Sequence, residues 1–320
     1  MKLFALSVCI FVATVASSSA DQARVEDLSF SSVTLADSDL LSGRDGKPVS
    51  VTGKLRVPGT TNEKVPAVVL LHGSGGAGGP GSTVDGWSTE LNQLGIATFA
   101  IDSFTGRGIT STVMDQTLLG RLNMVADAYR ALNLLARDPR IDPNRIAVMG
   151  FSRGAQSALY SAMNRFSGLA NNNMRFAAHV VFYADCTTTY LGDTDVIAPI
   201  RLLHGDRDNW NAVAPCRGYV ERLTKAGRDV KLSEYAGADH AFDNPTFRKP
   251  FLVKGAPTTR KCQLMESADH QILNRATQKP FTYKDACVEK DTTVAYNDAA
   301  DRQAHLLVRD FLTNVFRIKH

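Results

Sequence analysis

An apolar run over residues 145–149 passes directly into Gly150-Phe151-Ser152-Arg153-Gly154, and no other stretch restricts the fold as tightly. Glycine two places before and two places after a serine lets a strand turn sharply into a helix, so that the hydroxyl stands exposed in a strained backbone conformation. An ordinary strand-to-helix turn is the plainer reading of the same letters. The context favours the sharper one, because an apolar strand precedes the serine and a helical stretch follows it to about Asn164.

The chain around this turn supplies a sheet to hold it. Residues 49–57 alternate like a half-exposed strand, and residues 67–71 are continuously apolar, as a strand buried on both faces must be. A short helix over 87–94 is broken at Gly95 before a buried strand over 96–101. The clearest helix spans 118–137, with Leu122, Val125, Leu132 and Leu135 at helical spacing and Asp138-Pro139 ending it. Strands over 176–184, 200–204 and 230–235, a helix over 215–226 and a closing amphipathic helix over 299–316 complete the order. About 50 residues precede the first strand read this way. Residues 242–293 show no clear periodicity and read as an insertion between the last strand and the last helix. Strands alternating with helices build a mostly parallel sheet flanked by helices, the α/β class.

A serine hydroxyl is a weak nucleophile at neutral pH and needs a base and a group that orients the base. In a fold with this elbow the acid follows the serine and the histidine comes last. Of seven histidines, His240 alone follows the last strand. Its neighbours Gly237, Ala238 and Ala241 are small enough to let a loop approach the serine. Gly205-Asp206-Arg207-Asp208 leaves the end of the penultimate strand, and Asp208 is the favoured acid, with Asp206 and Asp185 as competitors. The glycine-rich His72-Gly73-Ser74-Gly75-Gly76 can aim a backbone amide at a developing oxyanion. The donors expected are the amides of Ser74 and Arg153, each worth roughly 3 to 4 kcal/mol in the transition state. A phosphate cradle is the rival reading of that loop, but it lacks both the P-loop ending and dinucleotide-site spacing.

The remaining composition narrows location and partners. Lys2, an apolar stretch over 3–15 and Ser18-Ser19-Ala20 read as a signal peptide over residues 1–20. The apolar stretch is shorter than the roughly 20 residues of a spanning helix, so no stable membrane anchor is expected after cleavage. Residues 21–320 are then a single domain, secreted or periplasmic. The formal charge of +4 falls to +3 without Lys2, and its basic residues are scattered among acids, which argues against nucleic acid as a partner. No metal-ligand spacing is present, so neither metal nor cofactor is expected.

Together His72 to Gly76, Asp102-Ser103-Phe104, Gly150 to Gly154, Gly205 to Asp208 and Gly237 to Phe242 resemble the dienelactone hydrolase family of the α/β-hydrolases. The resemblance runs from about Val49 through the final helix. It implies the α/β-hydrolase fold and cleavage of a small-molecule carboxylic ester, with Ser152, His240 and Asp208 as the triad. The founding enzymes of that family use cysteine as nucleophile, whereas this chain has Ser152, and the insertion and export signal depart from a compact cytosolic enzyme.

Four cysteines remain beyond Cys9, an even number suited to an oxidising compartment. Cys186 and Cys216 follow adjacent strands about 4.8 Å apart, within reach of a disulfide. The expected pairs are Cys186 with Cys216 and Cys262 with Cys287. Phe104, Arg107 and Trp210 follow strand ends on the catalytic side and are expected to line the cleft, Arg107 as a partner for an anionic group. An amidase or peptidase using the same triad, or a non-catalytic secreted binding protein of the same fold, are the competing functions.

Overall fold

A computed structural model describes residues 23–59, 63–78, 82–169 and 174–318. The segment read as a signal peptide lies outside them. In chain order the strands and helices of the first half are β1 (Arg24–Thr34), α1 (Asp37–Leu41), β2 (Lys47–Val57), β3 (Val65–Leu71), α2 (Val84–Gln93), β4 (Ala97–Asp102), α3 (Asn123–Leu135) and β5 (Ile141–Phe151). The second half continues with α4 (Arg153–Tyr160), β6 (His179–Phe182), β7 (Thr188–Thr189), β8 (Ile200–Gly205), α5 (Val213–Lys225) and β9 (Val230–Tyr235). Five short strands then precede the last helix: β10 (Phe251–Val253), β11 (Leu264–Glu266), β12 (Ile272–Asn274), β13 (Lys279–Pro280), β14 (Thr292–Val294) and finally α6 (Asp298–Phe316).

Eight strands form one sheet in the order β1-β2-β4-β3-β5-β6-β8-β9, parallel from β4 to β9 and antiparallel at β1·β2 and β2·β4. This is the α/β-hydrolase fold that the resemblance implies. Each residue of β3 is buried, and successive side chains face opposite layers. Ala67, Val69 and Leu71 pack with the core of α3, α4 and α5, while Val68 and Leu70 pack with the core of α2 and α6. Both faces are thus covered by helices, which is why the central strands read as unbroken apolar runs.

The first strand lies earlier than the apolar pattern suggests. β1 pairs with β2 along its whole length, yet it contributes only partly buried Leu28, Phe30 and Val33 to the core. An edge strand needs little apolar surface, so its sequence carries a faint signal. The helix expected from residue 118 starts at Asn123, after a 3-10 turn over Gln116–Leu118. The insertion is not featureless: β10 pairs with β14, and β13-β12-β11 form a ribbon completed by β7. Among the described residues no helix is long and apolar enough to cross a membrane.

Candidate active site

Parallel strands deliver their C-terminal ends to one edge of a sheet, and the expected site residues follow five such ends, those of β3, β4, β5, β8 and β9. Ser152 follows β5 directly and has φ 53° and ψ −113°. The two flanking glycines explain how the chain tolerates this. A Cβ on Gly150 would lie 2.2 Å from the carbonyl oxygen of Gly154, and one on Gly154 would lie 2.2 Å from that of Leu71. No larger residue fits either place without moving backbone. A positive φ at a serine costs of order 1–3 kcal/mol, which the buried β5 and α4 on either side offset.

The same device joins the loops after β8 and β9. A Cβ on Gly205 would meet the carbonyl oxygen of Ala238 at 2.2 Å, so only glycine lets the two loops touch. His240 Nε2 lies 2.9 Å from Ser152 Oγ, and its Nδ1 lies 2.8 Å from Asp208 Oδ2. With Nδ1–H donating to the carboxylate, Nε2 is left as the acceptor facing the serine. Asp208 Oδ1 in turn accepts the amides of Trp210 and Asn211, each at 2.8 Å. Burial works against its charge, but His240 and His204 outweigh that and hold Asp208 well below the usual carboxylate range. His204 Nε2 donates to Asn211 O at 2.7 Å and stands 3.4 Å from Asp208 Oδ2.

The competing acids have other work. Asp206 accepts the Gly237 amide at 2.8 Å and ties down the loop before His240. Asp185 accepts the Thr187 amide and the Thr259 hydroxyl, and pairs with Arg121 at 3.5 Å. Neither meets His240 Nδ1.

Ser74 follows β3 and lines the same cavity as Ser152. Arg153 is the first residue of α4, where an amide has no partner within the helix. Its side chain is buried and spends its donors on Thr112 Oγ1 and on the carbonyls of Gln116, Leu119 and Gly120, holding residues 112–120 against the elbow. His72 is buried, and desolvation pushes its pKa below the usual histidine value. Its Nδ1 donates to Gly73 O at 2.7 Å and its Nε2 accepts the Ser103 amide at 3.2 Å, which clamps the glycine-rich loop.

Two expectations about the cleft are corrected. The Arg107 side chain is 3% exposed and forms a bidentate pair with the fully buried Asp127, while also donating to Thr34 and to the carbonyls of Ser103 and Val33. It cross-links β1, β4 and α3 and has no free donor face for a substrate. Phe104 is 1% exposed and packs edge-on against His72, 4.4 Å between ring centres, beneath the glycine-rich loop. A loop residue after a strand end can turn into the core as readily as into the cleft, and the sequence does not distinguish them. Trp210 does reach the cleft, with its ring 5.1 Å from that of His240.

The structure joins Cys186 to Cys216 with Cα atoms 5.0 Å apart and Cys262 to Cys287 with Cα atoms 4.9 Å apart. Sequence reasoning missed Tyr183, whose ring meets the edge of His240 at 4.7 Å and whose hydroxyl donates to buried Asp243 at 2.8 Å. It also missed the walls supplied by the insertion. The Ala295 amide donates to His240 O, and Arg260 holds the Asn209 carbonyl, so both catalytic-side loops lean on residues 242–295. Among the described residues, no three His, Cys, Asp or Glu side chains gather as metal ligands.

The sequence profile of the Dienelactone hydrolase family matches residues 54–316. The protein usf of Aquifex pyrophilus is 24% identical over 185 residues, which is 56% of this chain and 77% of that protein. Esterase 2 of Thermogutta terrifontis, solved phosphorylated by paraoxon, has a TM-score of 0.58 at 15% identity, covering 97% of this chain and 100% of that one. A dienelactone hydrolase-like promiscuous phosphotriesterase from metagenomic libraries has a TM-score of 0.57 at 14% identity, covering 91% of this chain and 99% of that one. The chain belongs to the dienelactone hydrolase family, and is a hydrolase of the α/β-hydrolase fold with ester-cleaving activity.

Proposed function

We propose that this protein is an exported serine esterase acting on carboxylic esters of small molecules through Ser152, His240 and Asp208. The observation that carries the reading is the continuous contact from Ser152 Oγ to His240 to Asp208, at 2.9 and 2.8 Å, with the serine on a strained elbow. Ser152 Oγ attacks the ester carbonyl carbon while His240 Nε2 takes its proton. Asp208 stabilises the imidazolium so formed. The carbonyl oxygen, now an anion, is met by the amides of Ser74 and Arg153. His240 then gives the proton to the leaving alcohol, and water repeats the sequence on the acyl-enzyme to release the acid. Two disulfides suit a chain that works in an oxidising compartment, which supports export.

Hydrolysis of p-nitrophenyl acetate and butanoate, with Ser152→Ala as control, tests the reading. Paraoxon phosphorylates the Thermogutta esterase, so here it should modify the peptide bearing Ser152 in step with loss of activity. Turnover by Ser152→Ala at the wild-type rate would rule the mechanism out.

A further inference from the structure

Two cavities meet at Ser152, and they differ in size and chemistry. One has a volume of about 40 Å³ and is walled by polar groups, among them Arg121, Gln156, Asp185, Thr259 and Tyr283. The other has a volume of about 400 Å³ and is walled by Val84, Met114, Phe247, Phe251, Val253 and Val294. Ser74, Ser152 and Trp210 border both. His240 borders only the large one, while Arg153 borders only the small one.

An ester must place its two halves on the two sides of the serine, and proton transfer decides which half goes where. His240 protonates the leaving alcohol oxygen, so the alcohol departs on the side His240 faces. The acyl group then occupies the other side, next to the Arg153 amide. A volume of about 40 Å³ takes roughly three water-sized atoms. An acyl chain of one or two atoms beyond the carbonyl fills it.

The small cavity also asks for hydrogen bonds. Gln156 is 4% exposed and its Nε2 is buried with no partner among the described residues. It sits one turn beyond Ser152 on the same face of α4, and long side chains in a helix lean back toward the preceding turn. A buried amide donor left unpaired costs about 1–3 kcal/mol, so a small turn of the Gln156 side chain that brings Nε2 to an acceptor on the ligand is favoured. Asp185, in the same wall, accepts three donors from the protein and has lone-pair capacity for a fourth. A hydroxyl satisfies both, because it donates and accepts. A carboxylate does not suit the place. Arg121 already faces Asp185, and the Arg153 guanidinium directs its donors at Thr112 and backbone carbonyls.

We propose that the preferred substrate joins a short 2-hydroxyacyl group, held beside Gln156 and Asp185, to a bulky apolar alcohol held in the large cavity. The inference rests on the serine-esterase reading above. Hydrolysis consumes one ester and one water. The Ser152 proton passes through His240 to the alcohol, and the 2-hydroxy acid leaves after water attacks the acyl-enzyme.

The test uses 1-naphthyl esters of glycolic, acetic, propionic, hexanoic and malonic (half-ester) acids, with kcat/KM divided by each ester's rate of alkaline hydrolysis. Glycolyl and propionyl have the same size and differ only in the hydroxyl. Glycolate is expected to exceed propionate by about tenfold or more, with hexanoate lowest. Gln156→Met, close in shape, should bring the glycolate to propionate ratio toward one. The wild-type series stands alone if that variant does not fold. Equal rates for glycolate and propionate, or preference for hexanoate or the anionic half-ester, would overturn the proposal while leaving the esterase reading intact. Failure to hydrolyse any of the esters would instead sink the esterase reading.

Discussion

The sheet edge and the insertion meet at Ser152, but they are held together by different physics. The sheet edge is built from buried strands and from backbones that touch through Gly150, Gly154 and Gly205, where a single Cβ would collide at 2.2 Å. Among the described residues of the insertion, Phe242 is the only buried member of the two main core clusters. It relies on Cys262–Cys287 and on polar anchors such as buried Glu266, which accepts the Leu191 amide, Arg165 and His270 at 2.6 to 2.8 Å. The difference teaches a division of labour. The proposed reactive groups sit where backbone geometry admits little change, and the cavity walls from the insertion sit where stability comes from a few replaceable links.

The largest expected effect tests the sheet edge. Asp208→Asn should lower kcat on p-nitrophenyl acetate by on the order of 10³ to 10⁴, because the amide stabilises the wrong state of His240. A loss below tenfold would mean that the acid is not needed. Next comes the link that holds the insertion. Replacing Cys262 and Cys287 together by alanine should lower stability by about 3 kcal/mol in urea unfolding. Paraoxon should still modify Ser152 in the folded variant, and losing that reactivity would show the insertion to be part of the reactive centre.

A third variant probes one wall alone. Val253→Trp should fill part of the large cavity and lower kcat/KM for octyl esters roughly tenfold, with ethyl esters of the same acid much less affected. Equal losses for both would remove the distinction between wall and reactive centre. The smallest effect concerns a site away from both. His305 stacks on Trp87 between Glu90 and Asp301. Burial alone would lower its pKa, yet the two carboxylates raise it to about 9. A raised folded-state pKa stabilises the fold fully below the unfolded value near 6.5 and is lost as pH rises through about 9. Allowing for solvent screening, His305→Gln should cost about 1 kcal/mol at pH 6 and much less at pH 10, read from Tm against pH. A pH-independent difference would assign the effect to packing on Trp87.

How much of this was legible in the chain follows from the range of the interactions. Periodicity exposed the strands of the main sheet from residue 49 onward, the first by alternation and the central ones because burial on two faces forces continuous apolar runs. β1 stayed hidden, since an edge strand buries little. The local sequence around Ser152, Asp208 and His240 pointed to the residues that now stand in contact, because glycines mark backbone approaches that no other residue allows.

What the chain by itself determined, then, was the alternation of elements, the elbow and the order of its reactive side chains. Only the tertiary structure decided that Arg107 binds Asp127 instead of facing the cleft, that Phe104 turns under His72, and that Gln156 and Asp185 share a small polar cavity. These depend on contacts between segments far apart in the chain, and the direction a loop side chain takes is set by the partners it meets there. A residue's type records what it is able to do, whereas its neighbours in space decide which of those things it does.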